Sequence, residues 1–207
     1  MAALRNSDPF VILTVCTGNI CRSPVAEQLL RAGLARIPGI AIASSGTRAQ
    51  IGDSMPPQAE ALSIKYGGDP IGHVPRALNE RQISDAQLVL GMSREHRREI
   101  VSLHPRASRY TFTIREFARL AADITEWDLL DFSGGLLTTA KERLVSAVEL
   151  VASRRGTVPA ADDPTDDDIV DPYRQDDATY ALSGAQLVPA VRTSVNTLSL
   201  AAATGND

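Results

Sequence analysis

Cysteine is scarce in this chain of 207 residues, which has only Cys16 and Cys21. Two cysteines exclude a disulfide framework, and no N-terminal apolar segment resembles a signal peptide, so we expect a cytoplasmic protein. No apolar run approaches the length of a membrane-spanning helix, and we therefore expect no membrane span. A chain of this length with 43% hydrophobic residues can bury one good core, and we expect one domain over residues 1–207.

Histidine and positive charge are also sparse. None of the three histidines has metal-ligand spacing with acidic or sulfur-bearing residues, so we predict no metal site and no cofactor. The net charge of −4, without a basic stripe carrying aromatics, argues against nucleic-acid binding. One short basic cluster alternates with Glu95 and Glu99 and predicts a solvated helix face; it comprises Arg94, His96, Arg97 and Arg98.

The N-terminal segment reads as a strand, a loop and a helix. Residues 10–15 are apolar and rich in β-branched side chains, which is typical of a strand buried on both faces of a parallel sheet. Apolar residues at helical spacing follow from Pro24, which is tolerated in a first helical turn. The intervening loop, from Cys16 to Ser23, therefore faces a helix N-terminus, where backbone amides attract an anion.

The residue types of this loop predict phosphate chemistry. Gly18 and Asn19 tolerate positive φ and allow consecutive amides to point inward. Arg22 can hold two oxygens of a phosphate-like dianion, and the positive surroundings favour the nucleophilic thiolate of Cys16. Ser23 can donate to that sulfur and help it leave. The competing interpretation is that Cys16 is a small apolar residue buried at a strand end.

Five ordered segments resemble the low-molecular-weight protein tyrosine phosphatases, in particular their bacterial branch. The signature segment is VCTGNICRSPVAE, residues 15–27, and the others are residues 44–47, 73–76, 88–92 and 171–173. The resemblance implies an α/β fold with a four-stranded parallel sheet flanked by helices. It also places a phosphate-binding loop between the first strand and the first helix.

The resemblance assigns roles to further residues. Asp171 would protonate the leaving oxygen and later activate water, and Tyr173 would line the cleft. Thr17 and Ile20 would belong to the phosphate-binding loop, while Asn19, Ser44 and His73 would form a network that holds it rigid. Cys21 would bond Cys16 reversibly under oxidant, and packing beneath the loop is an equally compatible role.

Three regions depart from the family pattern. Residues 48–50, Arg-Ala-Gln, stand where the family often carries an aromatic residue that lines the cleft. Residues of about 114–155 contain helical patterns that we interpret as a family-specific insertion. Residues of about 156–170 contain five aspartates and predict a solvated, flexible acidic loop before Asp171.

The predicted function is hydrolysis of phosphotyrosine in protein substrates through a cysteinyl-phosphate intermediate. An arsenate reductase on the same fold is the first alternative, although no resolving cysteine follows Cys21. A noncatalytic phosphate-binding module is the second alternative, disfavoured because Cys16, Arg22 and Asp171 are all present. The sequence leaves open the oligomeric state and the physiological substrate.

Overall fold

Four parallel strands form the centre of the fold. The computed structural model describes residues 8–135 and 139–204. The strands are β1 (Phe10–Cys16), β2 (Ile40–Gly46), β3 (Leu88–Gly91) and β4 (Thr111–Thr113), in the spatial order β2-β1-β3-β4. All three strand pairs are parallel. The predicted α/β fold with a four-stranded parallel sheet is therefore confirmed.

Strand β1 is buried on both faces because helices cover both sides of the sheet. Phe10 and Ile12 point into the larger core, whereas Leu13 and Val15 point into a smaller core on the opposite face. Successive side chains of a strand alternate between faces, so a nearly continuous apolar run is what a doubly covered strand requires. Burying each large side chain contributes about 1.5–3 kcal/mol.

Eight α-helices, counted over the described residues, surround the sheet. The larger core packs against α1 (Arg22–Gly33), α5 (Ile114–Ala121), α7 (Ala140–Ser153) and α8 (Asp177–Ala203). The smaller core lies under α3 (Glu80–Asp85) and α4 (Arg94–Leu103). The remaining two helices are α2 (Pro57–Lys65) and α6 (Glu126–Ser133).

The region predicted as a helical insertion contains α5, α6 and α7. Each begins with a threonine whose hydroxyl accepts a backbone N–H and whose own N–H is bound by an acidic side chain; these are Thr113, Thr125 and Thr139. Such reciprocal caps satisfy donors that a helix start otherwise leaves free. The second helical pattern in this part of the sequence starts at about residue 136, and residues 136–138 lie outside the described part. That the region is an insertion stays a prediction.

Helix α8 closes the larger core and contains Pro189 at its middle. Its buried residues contact α1, α5 and α7, so the C-terminal part of the chain supports the first helix of the fold. In the described residues, none of the helices combines the length and apolar character needed to cross a membrane.

The carboxyl ends of β1 and β2 approach each other closely at Gly46. Gly46 pairs with Cys16 in register, and the Thr47 N–H donates to the Cys16 carbonyl at 2.9 Å. A Cβ atom on Gly46 would stand 2.5 Å from the Thr17 carbonyl oxygen and 3.0 Å from the Asn19 nitrogen. The loop after β1 can therefore lie against β2 only because residue 46 has no side chain.

We expect Gly46→Ala to destabilise the protein by about 1–3 kcal/mol, because the added methyl group must displace backbone rather than a flexible side chain. The free energy of unfolding in urea measures this effect. Ser45→Ala is the matched control, since the Ser45 hydroxyl is buried without a hydrogen-bond partner among the described residues. Equal stability of the two variants would contradict the close approach at Gly46.

Candidate active site

The loop after β1 wraps around the sulfur of Cys16. The thiol is 2% exposed, and the Asn19 N–H donates to its Sγ at 3.3 Å. Asn19 adopts the left-handed conformation, with φ of 56°. This turn reverses the chain so that the Asn19 amide faces the sulfur, and the following residues enter α1. The predicted loop between the first strand and the first helix is thus observed.

The buried side chain of Asn19 holds the loop from behind. Its Oδ1 accepts the Arg76 N–H at 2.8 Å, which fixes the orientation of the amide group. Its Nδ2 donates to the Ser44 hydroxyl at 2.8 Å, and that hydroxyl donates to the carboxylate of Glu27. Glu27 is 4% exposed and also contacts Arg31, so its negative charge is balanced where it is buried.

The same network reaches the sulfur of Cys16 through Ser23. Asn19 Nδ2 also donates to Ser23 Oγ, at 3.0 Å, so the Ser23 hydroxyl must place its proton elsewhere. The Cys16 sulfur lies 2.9 Å from Ser23 Oγ, and the Ser45 carbonyl lies 3.4 Å away. A thiolate has no proton to give, so in the thiolate form of Cys16 the Ser23 hydroxyl is the donor of this contact and stabilises the negative charge on sulfur. His73 supports the same loop through its Nε2, 2.6 Å from the Asn19 carbonyl.

Arg22 crosses the site from the start of α1. Its side chain is 6% exposed; Nη1 donates to the Ile169 carbonyl at 3.1 Å and Nη2 to Asp171 Oδ2 at 2.5 Å. Within the described residues its Nε is buried without a partner. A buried donor without an acceptor is costly, and a phosphoryl oxygen is the acceptor that this guanidinium fits best.

A pocket of ≈ 140 Å³ opens above the sulfur. Its lining consists of Cys16, Thr17, Gly18, Ile20, Cys21, Arg22, Gln50, Asp171 and Tyr173. Gln50 stands in the segment where the sequence lacks the aromatic residue of the family. The Tyr173 hydroxyl donates to Gln50 Oε1 at 2.8 Å, so this side of the pocket is closed by a hydrogen bond between an amide and a phenol.

Cys21 lies beneath the loop beside α8. Its Sγ is 3.8 Å from the Tyr180 hydroxyl, and burial raises the pKa of the Cys21 thiol to about 12. The predicted packing role is therefore observed. The protonated thiol is a weak nucleophile near neutral pH. Both cysteines are free, and a reversible Cys16–Cys21 bond under oxidant stays a prediction.

The interpretation of residues 94–99 as a solvated helix face is wrong for His96, which is 3% exposed. Its Nε2 lies 2.9 Å from the Thr17 hydroxyl and its Nδ1 lies 2.8 Å from Ser93 Oγ. Burial lowers the pKa of His96 to about 3, and the charges of Arg22 and Arg48 act in the same direction. The ring therefore stays neutral and braces the phosphate-binding loop from α4. Ile100, four residues later and fully buried, was the available signal that His96 shares the buried face.

The acidic loop is only partly solvated. Asp162, Asp163 and Asp166 are exposed, as predicted. Asp167 instead pairs with Arg119 at 2.9 Å, and Asp168 pairs with Arg94 at 3.1 Å. The sequence interpretation missed these ion pairs because the arginines are distant in the chain.

The predicted site residues fall into two groups. Eight of them line the pocket; these are Cys16, Thr17, Gly18, Ile20, Cys21, Arg22, Asp171 and Tyr173. Four lie behind the loop and orient it; these are Asn19, Ser23, Ser44 and His73. Four further residues contact this set from segments distant in the chain; these are Glu27, Gln50, His96 and Tyr180.

Fold and site together place this chain in the class of cysteine-dependent phosphomonoesterases. The sequence model described as low molecular weight phosphotyrosine protein phosphatase matches residues 11–149. The chain belongs to this family.

Two kinds of named relative are similar to the chain. A protein-arginine-phosphatase of Geobacillus stearothermophilus is 32% identical over 152 residues, covering 72% of this chain and 98% of the relative. The probable low molecular weight protein-tyrosine-phosphatase EpsP of Ralstonia nicotianae is 35% identical over 133 residues, covering 64% and 85%. The solved structure of the tyrosine phosphatase AmsI of Erwinia amylovora superposes with a TM-score of 0.62 at 25% identity, covering 91% and 93%.

We expect the buried neutral His96 to make stability dependent on pH. The unfolded chain binds a proton at this residue below about pH 6.5, whereas the folded chain does so only near pH 3. Stability is therefore lost as the pH falls between these values, and His96 accounts for about 2 kcal/mol of the loss between pH 7 and pH 5. Urea unfolding at both pH values should show a smaller loss for His96→Gln than for wild type. An equal loss of unfolding free energy in wild type and His96→Gln would mean that the folded protein protonates His96 as readily as the unfolded chain does.

Proposed function

We propose that the protein hydrolyses phosphotyrosine in protein substrates, with Cys16 as the nucleophile. The observation that carries the proposal is the guanidinium of Arg22, which lines the pocket that holds the Cys16 sulfur. It is buried, and its Nε has no hydrogen-bond partner among the described residues. A phosphoryl group in this pocket would meet the Asn19 end of the amide loop, the guanidinium and the sulfur together. This combination provides binding, charge neutralisation and attack at one point.

In the first step the Cys16 thiolate attacks phosphorus, the S–P bond forms, and the bond to the ester oxygen breaks. Asp171, in its protonated form, gives its proton to that oxygen, which leaves as a neutral phenol. In the second step the Asp171 carboxylate takes a proton from water, which attacks phosphorus and breaks the S–P bond. The sulfur leaves as a thiolate that accepts the Ser23 hydroxyl, and inorganic phosphate is released.

Arg22 serves the acid as well as the phosphate. In the structure its Nη2 holds Asp171, whose side chain is 49% exposed at the edge of the pocket. A phosphoryl dianion offers the guanidinium a stronger and bidentate partner. Substrate binding would therefore release the Asp171 carboxyl group towards the leaving oxygen, so that the acid becomes free only when there is an ester to cleave.

The pocket wall favours an aryl phosphate over a phosphorylated guanidinium. Ile20 is 3% exposed in the lining, and the ring of Tyr173 stands at the mouth. These groups contact a flat phenyl ring favourably, whereas a guanidinium loses hydration against them. Phosphoarginine is the second candidate substrate, because a protein-arginine-phosphatase is 32% identical to this chain over 98% of that relative's length.

We expect wild type to hydrolyse a phosphotyrosine peptide with a kcat/KM at least about tenfold above that of the matching phosphoarginine peptide, which corresponds to about 1.4 kcal/mol. Phosphate release from both peptides measures the ratio. Cys16→Ser should remove turnover of both peptides yet retain phosphate binding. A ratio that favours phosphoarginine would assign the second substrate, and turnover by Cys16→Ser would exclude the cysteinyl-phosphate path.

We expect Asp171→Asn to lower kcat/KM for phenyl phosphate by roughly 10²–10⁴-fold, because its leaving group needs a proton. The loss for para-nitrophenyl phosphate should be much smaller, since nitrophenolate leaves without one. Steady-state hydrolysis of the two esters measures the difference. Asp177→Asn, an exposed position in the first turn of α8, is the control. An equal loss with both esters would remove Asp171 from the acid role.

A further inference from the structure

Asp168 joins the loop that carries Asp171 to the start of α4. Its Oδ1 accepts the Arg94 backbone N–H at 2.7 Å, and its Oδ2 accepts the Arg94 Nη2 at 3.1 Å. Arg94 is the first residue of α4, so the carboxylate also lies at the positive end of the helix dipole. The Asp168 carbonyl accepts from Arg115 Nη1 at 3.1 Å, which fixes the backbone at the same point.

The two residues after Asp168 are fixed by other elements. The Ile169 N–H donates to the Met92 carbonyl at 2.8 Å, and the Ile169 side chain is 1% exposed. The Val170 N–H donates to Gln186 Oε1 on α8 at 2.9 Å. The three residues before Asp171 therefore contact the β3–α4 segment, the core and α8. Of these four consecutive residues, only Asp171 lines the pocket.

Residues 162–166 are exposed, and two ion pairs follow them: Asp167 with Arg119 and Asp168 with Arg94. The tie at Asp168 is the one nearer to Asp171. Only Ile169 and Val170 lie between Asp168 and Asp171, a span short enough for a shift of the anchor to be carried to the acid. A displacement of about 1 Å at a reacting group can cost about 10²-fold in rate.

We propose that Asp168, held by Arg94, is a positioning residue that sets the place of the general acid Asp171 in the pocket. The proposal rests on the proposed phosphatase reaction, in which Asp171 protonates the leaving oxygen. It assigns to one aspartate of the acidic run a role that neither its exposure nor its charge in the sequence indicates. It further separates acid placement, which depends on α4, from phosphate binding, which depends on the loop after β1.

The experiment compares Asp168→Ala, Arg94→Ala and the double variant on phenyl phosphate and para-nitrophenyl phosphate. We expect each single variant to lower kcat/KM for phenyl phosphate by roughly 10-fold or more, with a much smaller loss for the nitrophenyl ester. The double variant should lose no more than Asp168→Ala, because Arg94→Ala removes only the side-chain part of the same tie and keeps the Arg94 N–H. Asp168→Asn keeps an acceptor for the Arg94 N–H and should lose less than Asp168→Ala.

Asp166→Ala is the matched control, since Asp166 is an exposed aspartate of the same run, and it should match wild type with both esters. Combining Asp168→Ala with Asp171→Asn provides the decisive test: with the acid absent, loss of its anchor should have no further effect on phenyl phosphate. An additional loss there, or equal losses with both esters in Asp168→Ala and Asp168→Asn, would overturn the positioning role. Inactive wild type would instead refute the proposed function itself.

Discussion

The hydrogen bonds of Asn19 are the constraint on which the site depends. One buried amide in the left-handed conformation holds β2 through Ser44, receives the backbone of Arg76, and donates to Ser23. Because the carboxylate of Glu27 accepts the Ser44 proton, no member of the network can reverse its direction without leaving a buried donor unpaired. The network thereby holds Ser23 beside the Cys16 sulfur and leaves the Ser23 proton to that sulfur or to the Ser45 carbonyl.

Arg22 connects this rigid half of the site to the half that carries Asp171. The guanidinium leaves α1 beside the sulfur and reaches both the Ile169 carbonyl and Asp171. The residues before Asp171 are in turn held by Met92 at the end of β3. The loop after β1 and the loop that carries Asp171 are therefore both attached to one pair of adjacent strands, β1 and β3. This common reference explains how residues 149 positions apart in the chain meet within hydrogen-bonding distance.

Sequence reasoning succeeded where the signal is local and failed where it depends on packing. The loop from Cys16 to Ser23 was predictable because a buried strand, residues tolerant of positive φ and a helix start follow one another in the chain. The burial of His96 was not predicted because its neighbours in the sequence are charged, although Ile100, four residues later, indicates a buried helix face. The pairing of Asp168 with Arg94 was missed because a run of aspartates is usually solvated, and its partner lies 74 residues earlier.

The sequence by itself determined the first buried strand, the helix after it and the loop with Cys16 between them, whereas the four-stranded sheet was predicted from the resemblance to the family. The strand, loop and helix start follow from periodicity and from residue types within one short segment, whose local preferences agree with the fold. Only the tertiary structure decided which side chains neutralise, orient and restrain that segment. Gln50 meets Tyr173 and Cys21 meets Tyr180 across 123 and 159 residues, and such contacts depend on how helices pack on the sheet. Chain order does not encode that packing in any local pattern, because it results from the burial of the whole core at once.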